Sequence, residues 1–157
     1  MHLPFSKLDF GGVKNAIILL DIDGTLVPDG GDVPVKEIVE KCHELVEHNK
    51  VYLLSNKKNH DRNEAIAGLL HATYINTPRK KPSRKVLGSL DMQGKSLIVV
   101  GDKFLTDGIL AKRIGARFIK AKRIVDVRDG YINKTMYALD DLIYQLFKSV
   151  VWRGRSS

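Results

Sequence analysis

The feature that most constrains this fold is a recurring pair: a short unbroken apolar run, then a segment of helical period. Ala16-Ile-Ile-Leu-Leu20 is continuously apolar and stops at Asp21. A half-exposed strand would alternate, so an unbroken run this short reads as a strand covered on both faces. Val35, Ile38, Val39, Cys42, Leu45 and Val46 then recur at helical spacing, with Pro34 placed for a first turn. The pair repeats. Val51–Leu54 predicts a strand and about His60–Leu70 a helix; Ala72–Ile75 is a weaker strand and Pro82–Leu90 a short helix. Ser96–Val100, Thr106–Ile114 and Ala116–Ile119 add strand, helix and strand. Strands alternating with helices make parallel βαβ units, so the expected class is α/β: an open, Rossmann-like parallel sheet with helices on both faces.

The 157 residues suit one domain. Lys and Arg number 26 against 18 Asp and Glu, a formal charge of +8, which favours an anionic partner. Cys42 is the only cysteine, so neither an intrachain disulfide nor a multi-cysteine zinc site can form. The apolar run before Asp21 is too short for a signal peptide or a membrane span. The expectation is a reduced, cytoplasmic protein.

In parallel sheets ligands bind beyond the carboxyl ends of the strands. Four such ends carry polar groups. Asp21-Ile22-Asp23-Gly24-Thr25 follows the first strand and Ser55-Asn56 the second; Lys80-Lys81-Pro82 precedes the short helix. Gly101-Asp102, with Thr106-Asp107 after it, follows the fourth strand. Singly these read as an Asp/Gly turn, a loop, a solvated surface and an N-cap. In this order on these boundaries they resemble the four signature motifs of the haloacid dehalogenase superfamily of phosphatases, over about residues 12–119.

The residue types explain the chemistry. A free Asp titrates near ~3.9, so Asp21 needs no base before attacking phosphorus, and an aspartyl-phosphate divides one hard hydrolysis into two steps. Asp23, two residues on, is placed to protonate the leaving oxygen and then to activate water. Nearby negative charge is expected to help it hold its proton. By resemblance, Mg²⁺ is bound by the Asp21 carboxylate, the Asp23 carbonyl and Asp102; Asp107 is supporting, with Gly24 and Thr25. Ser55, Asn56 and Lys81 bind the phosphoryl oxygens. Lys81 is preferred over Lys80 because the family motif puts Lys directly before Pro.

Asp21 and Ser55 are 34 residues apart, Ser55 and Lys81 26, and the expected elements fill both gaps. No cap domain is expected beyond a flap near 28–33. Among capless members the chain looks like the subclass III group that includes phosphatidylglycerophosphate phosphatases. That likeness implies an anionic lipid phosphate as substrate; the open site and the C-terminal helix leave peripheral contact with a membrane and a homo-oligomer as further expectations. Gly24, Lys103 and Ala111-Lys112-Arg113 depart from that group, which has Asn, Gln and Gly-Asn-Arg there. A catalytically silent binding or scaffold protein on the same fold is the alternative.

Other readings fail on order or context. A receiver domain carries its acidic pair first and its phosphoacceptor mid-chain, whereas here Asp21 leads. Gly94-Lys95-Ser96 precedes a strand where a P-loop would follow one, and position 89 is Ser. His43 and His48 lie on different faces of one helix. The basic clusters around Arg79–Lys85 and Lys112–Arg123 lack interleaved aromatics, so nucleic acid is not the expected partner. After low-complexity-free residues 120–137, where Arg128-Asp129-Gly130 suggests a hairpin turn between 124–127 and Tyr131-Ile132, one more helix is expected at about 138–152. Its stripe of Leu139, Leu142, Ile143, Leu146, Phe147, Val150 and Val151 is expected to pack on the sheet or on a second subunit. The competing expectation is an interfacial anchor with Trp152, Lys148, Arg153 and Arg155.

Overall fold

Every expected apolar run forms a strand: β1 (Ile17–Asp21), β2 (Lys50–Leu54), β3 (Thr73–Tyr74), β4 (Leu97–Gly101) and β5 (Arg117–Lys120). The helices are α1 (Lys36–Val46), α2 (His60–Leu69), α3 (Ile109–Ile114) and α4 (Tyr131–Arg153). This computed structural model describes residues 2–88, 90–125 and 131–153. The strands form one parallel sheet in the order β3-β2-β1-β4-β5. The chain therefore builds outward from β1 on one side, then resumes at β4 on the other. That reversal opens a crevice at the carboxyl ends of β1 and β4.

Both faces of the sheet are covered, as the continuous runs required. Ile18, Leu20, Leu53 and Val100 pack with Ile38, Cys42 and Leu45 of α1 and Ile66 of α2. Ile17, Leu19, Leu54 and Val99 pack the other way, against Val86, Leu87 and, from α3, Leu110 and Ala111. Burial of each such side chain contributes roughly 1.5–3 kcal/mol. This double cover keeps β1 rigid, and β1 delivers the first two acids.

Two expected helices are shorter. The Pro82–Leu90 segment makes only a 3₁₀ turn, Arg84–Leu87, capped by the Ser83 side chain on the Lys85 N–H. The Thr106–Ile114 segment begins with a π-helical turn, Phe104–Gly108, before α3 proper. Neither the β1–α1 connection (22–35) nor the chain between β3 and that 3₁₀ turn (75–83) holds a cap. Among the described residues, no helix is long and apolar enough to cross a membrane.

The C-terminal part corrects the sequence reading. Residues 126–130 of the expected hairpin lie outside the described residues, and Tyr131-Ile132 belongs to α4. Ile132, Met136 and Leu139 keep offsets of 0, 4 and 7, so the helical period extends further back than its expected start. Two members of the expected stripe pack inward, Phe147 with its ring 5.3 Å from Phe104 and Ile143 half-buried, while the leucines do not. Leu139, Leu142 and Leu146 are 55%, 57% and 58% exposed. The Tyr144 ring instead lies 5.4 Å from Phe104 and 6.1 Å from Phe118, and Asp140 is buried beside them. Asp140 turns inward because two backbone N–H groups and a buried lysine meet its carboxylate there. Of the expected anchor groups, Arg155 and the side chains of Trp152 and Arg153, like those of Val150 and Val151, lie outside the described residues.

Candidate active site

The site begins where β1 ends. Asp21 is the last residue of that strand, Ile22 turns into the core, and Asp23 follows. Gly24 has φ +86°, and a Cβ there would lie 3.0 Å from the Asp102 carboxyl carbon. Glycine thus satisfies both the left-handed backbone and the close approach of the two strand ends. Thr25, fully buried, donates its hydroxyl to Asp21 Oδ2 at 3.3 Å.

The other motifs converge on these acids. Ser55, just past β2, donates its hydroxyl to Asp23 Oδ2 at 2.9 Å. Asn56 grips the Lys81 backbone from both sides: its Oδ1 accepts the Lys81 N–H at 2.7 Å, and its Nδ2 donates to the Lys81 carbonyl at 3.2 Å. Lys81 Nζ then bridges Asp21 Oδ1 and Asp107 Oδ1, the latter at 2.5 Å. Burial pulls this ammonium down, but the charges and hydrogen bonds of Asp107 and Asp21 outweigh it and raise its pKa. Lys81 is therefore a permanent cation. Asp107 reaches it from the π-helical turn, across the backbone of Gly101, where a Cβ would collide with the Asp107 carboxylate.

Asp102 is the least compensated of the acids. Arg123 Nη1 pairs with its Oδ2, while Oδ1 is buried with no hydrogen-bond partner. Burial first, then the charges of Asp21 and Asp107, push its carboxyl up to about 8 against the opposing pull of Arg123 and Lys103. Asp107 is raised to about 6, by burial above all and by Asp21, with Lys81 opposing.

Asp21, Asp102 and Asp107 each offer an oxygen, and these lie within 4.8 Å of one another. Fully ionised, these three acids would outnumber Lys81 and Arg123 by one negative charge in a buried place, which is what drives the Asp102 carboxyl upward. That surplus, with the orphaned Asp102 oxygen, fits a small divalent cation bound by few carboxylates, as Mg²⁺ is. A calcium-like cage of six or more protein oxygens is not what these residues offer.

Asp23 differs from expectation in its surroundings. Its neighbours are the Arg62 guanidinium, with Nη2 at 2.9 Å from Oδ1, the Gly30 N–H at 3.2 Å and the Ser55 hydroxyl. Burial pushes its carboxyl up, but the Arg62 hydrogen bond and charge, with those two donors, hold it below the usual carboxylate range. The negative neighbours expected to keep it protonated are outweighed by a cation.

Asp21, Asp23, Asn56, Lys81, Lys103 and Thr106 line a cavity of about 90 Å³, together with Asp29 and Lys57 of the rim. A larger cavity of about 560 Å³ lies alongside, between β5 and α4. It shares Asp102 and Lys103 with the centre and adds Lys122, Arg123, Lys134 and Tyr137. The acids on its wall, Asp140 and Asp141, are engaged by Lys120 at 2.6 and 2.9 Å.

Sequence reasoning missed Arg62, Tyr137 and Asp140, and saw Arg123 only as part of a basic cluster. Each belongs to a helix or a loop outside the four motifs. No signal within the helices themselves marks Arg62 or Asp140 for partners 39 and 36 residues away.

Fold and site together define a class: a capless α/β domain with a buried triad of aspartates at the switch point of a parallel sheet. The chain is 28% identical over 137 residues to the protein of Bacillus subtilis (strain 168) named "Probable phosphatase YqeG"; the alignment covers 85% of this chain and 77% of that one. The similarity supports phosphatase chemistry at a coarse level. No protein-family model matches the chain. No solved structure matches it either.

Proposed function

We propose that this chain is a Mg²⁺-dependent phosphomonoester hydrolase of the haloacid dehalogenase type that works through phosphorylated Asp21. The observation that carries the reading is that the Asp21 carboxylate, paired with Lys81, lines one small polar cavity together with a second acid, Asp23. In the first step an Asp21 oxygen bonds to phosphorus as the ester P–O bond breaks, and the leaving oxygen takes a proton from Asp23 when Asp23 carries one. In the second, a water gives its proton to the Asp23 carboxylate and attacks phosphorus; the bond to Asp21 breaks and orthophosphate leaves. Lys81 and the Ser55 hydroxyl meet the phosphoryl oxygens, where positioning and charge neutralisation do most of the work. Asn56 serves by holding the Lys81 backbone and lining the cavity. Bound at Asp21, Asp102 and the Asp23 carbonyl, Mg²⁺ would neutralise charge between the acids and the substrate dianion.

The cation-lined cavity beside the centre supports an anionic substrate, with a lipid phosphate such as phosphatidylglycerophosphate the leading candidate. The test is turnover of p-nitrophenyl phosphate with Mg²⁺ and with EDTA, followed by a panel of phosphomonoesters including lipid phosphates in mixed micelles. Turnover lost in EDTA and restored by Mg²⁺ is expected. A protein inert toward the whole panel would instead match the silent scaffold.

A further inference from the structure

Arg62 is a cation in a place that disfavours one. Its side chain is only 7% exposed. It also sits in the first turn of α2, three residues after the Asn59 cap that accepts its N–H, where the helix dipole repels positive charge. Neither burial nor helix stability accounts for it. What surrounds the guanidinium does. Nη2 donates to Asp23 Oδ1 at 2.9 Å and Nη1 to Asp23 Oδ2 at 3.4 Å, a two-pronged contact. Nε and Nη2 both donate to the Gly31 carbonyl, at 2.8 and 2.5 Å, and Nη1 donates to Asn63 Oδ1 at 3.1 Å.

The contacts reach three parts of the chain. The planar fork of an arginine can hold a carboxylate at both oxygens while its remaining N–H groups bind a carbonyl; a lysine cannot do both in fixed geometry. Asp23 is thereby fixed in rotation, with the Ser55 hydroxyl on Oδ2 and the Gly30 N–H on Oδ1 as further anchors. The 28–33 segment is tied to the same group through Gly30 and Gly31. Its other ion pair to Arg62, from Asp32 at 3.5 Å, comes from a 77% exposed side chain and adds little.

We propose that Arg62 is the positioning residue of the acid–base group, holding the Asp23 carboxylate toward the cavity and strapping the 28–33 segment to it. The inference rests on the reading of the centre as one that phosphorylates Asp21. Its weight falls on the second step, in which the Asp23 carboxylate must take a proton from a water held in line with phosphorus. A misplaced base slows that step steeply, by up to about a hundredfold for a shift near 1 Å. Formation of the phosphoenzyme from p-nitrophenyl phosphate needs no proton for its leaving group, so that step tolerates the loss.

The experiment is rapid-quench kinetics of the full chain with p-nitrophenyl phosphate and Mg²⁺, comparing wild type, Arg62→Met, Arg62→Lys and Asp32→Ala. In Arg62→Met, hydrolysis of the phosphoenzyme is expected to fall roughly ten- to hundredfold. Its formation stays near the wild-type rate, so phosphorylated Asp21 accumulates. Arg62→Lys recovers part of the hydrolysis rate, and Asp32→Ala matches wild type in both steps. Hydrolysis unchanged in both Arg62 variants overturns the proposal, as does an equal loss in both steps alongside a lowered melting temperature. If Arg62→Met does not fold, Arg62→Lys decides alone, on whether hydrolysis slows and formation does not. Wild type that forms no phosphorylated Asp21 refutes the underlying reading; a phosphoenzyme indifferent to Arg62 refutes only the positioning role.

Discussion

The Asp140 carboxylate lies 2.6 Å from Lys120 Nζ, and both side chains are buried. The same carboxylate accepts the backbone N–H groups of Phe104 and Leu105, each at 2.8 Å. α4 thereby fixes the start of the π-helical turn that presents Asp107 to Lys81. Asp140→Ala leaves the partly buried N–H groups of Phe104 and Leu105 without this acceptor and leaves Lys120 paired with Asp141. Breaking a buried pair costs about 3–5 kcal/mol, so a denaturant melt should show a loss of that order. Deleting residues 138–157 removes the same carboxylate and should yield an aggregating protein. A truncated chain that melts like the full one would refute this role for α4.

Asp21→Asn should abolish turnover, because an amide cannot form the acyl phosphate. The variant should remain folded by circular dichroism. Residual activity above a few per cent of wild type, at about the level of contamination, removes Asp21 as nucleophile.

The acid cluster predicts an unusual pH dependence in metal-free protein. Asp102 and Asp107 have folded values raised to about 8 and about 6, above their ordinary 3.8. Groups raised in the folded state bind more protons there, so their stabilisation is full below the ordinary value and is lost as pH climbs through the folded ones. Stability should therefore decline between about pH 4 and pH 8. Asp23, which is depressed, works in the opposite sense, but only below its ordinary value. Thermal melts in EDTA should show a higher midpoint at pH 5 than at pH 8, and Mg²⁺ should restore the loss at pH 8. A midpoint that rises across this window contradicts the charge surplus.

Cys42 is fully buried in the α1 face of the core, and burial pushes its thiol up to about 12. Reaction with a thiol reagent at neutral pH should be negligible in the native protein and complete in denaturant. Rapid native labelling would mean that α1 opens readily.

The strands and the four motifs were legible because each has a local cause. A strand buried on both faces is an unbroken apolar run, and the polar residue that ends it must face the crevice, so Asp21, Ser55 and Asp102 announce themselves. Arg62 and Asp140 do not. Arg62 lies 39 residues from Asp23, and Asp140 lies 36 from Phe104. Their partners are fixed by how α2 and α4 pack, which no spacing within either helix encodes. The face of α4 was legible only in part for the same reason: Phe147 meets Phe104, but the leucines do not turn onto the domain. Its leucines give the stronger periodic signal, yet a carboxylate that satisfies two backbone amides governs which side turns inward.

Leu139 and Leu142 consequently face outward, more than half exposed. Replacing both by Ser should leave the melting temperature nearly unchanged, since surface substitutions usually stay within about 0.5 kcal/mol. A large destabilisation in the double variant would show that the face is covered in solution. Sedimentation of wild type and variant over a concentration series would then identify a second copy as the cover.

The cavity at the centre, at about 90 Å³, is far smaller than the roughly 300–1,000 Å³ of sites that enclose a small molecule. On the proposed reading it admits the phosphoryl group and leaves the alcohol outside. Orthophosphate then fits as well as any ester, and product should compete with substrate. Discrimination among esters falls to the surface around the mouth, where Lys103 stands at the border of the cation-lined cavity. Such an enzyme would be a generalist toward phosphate and selective only through what its rim can hold.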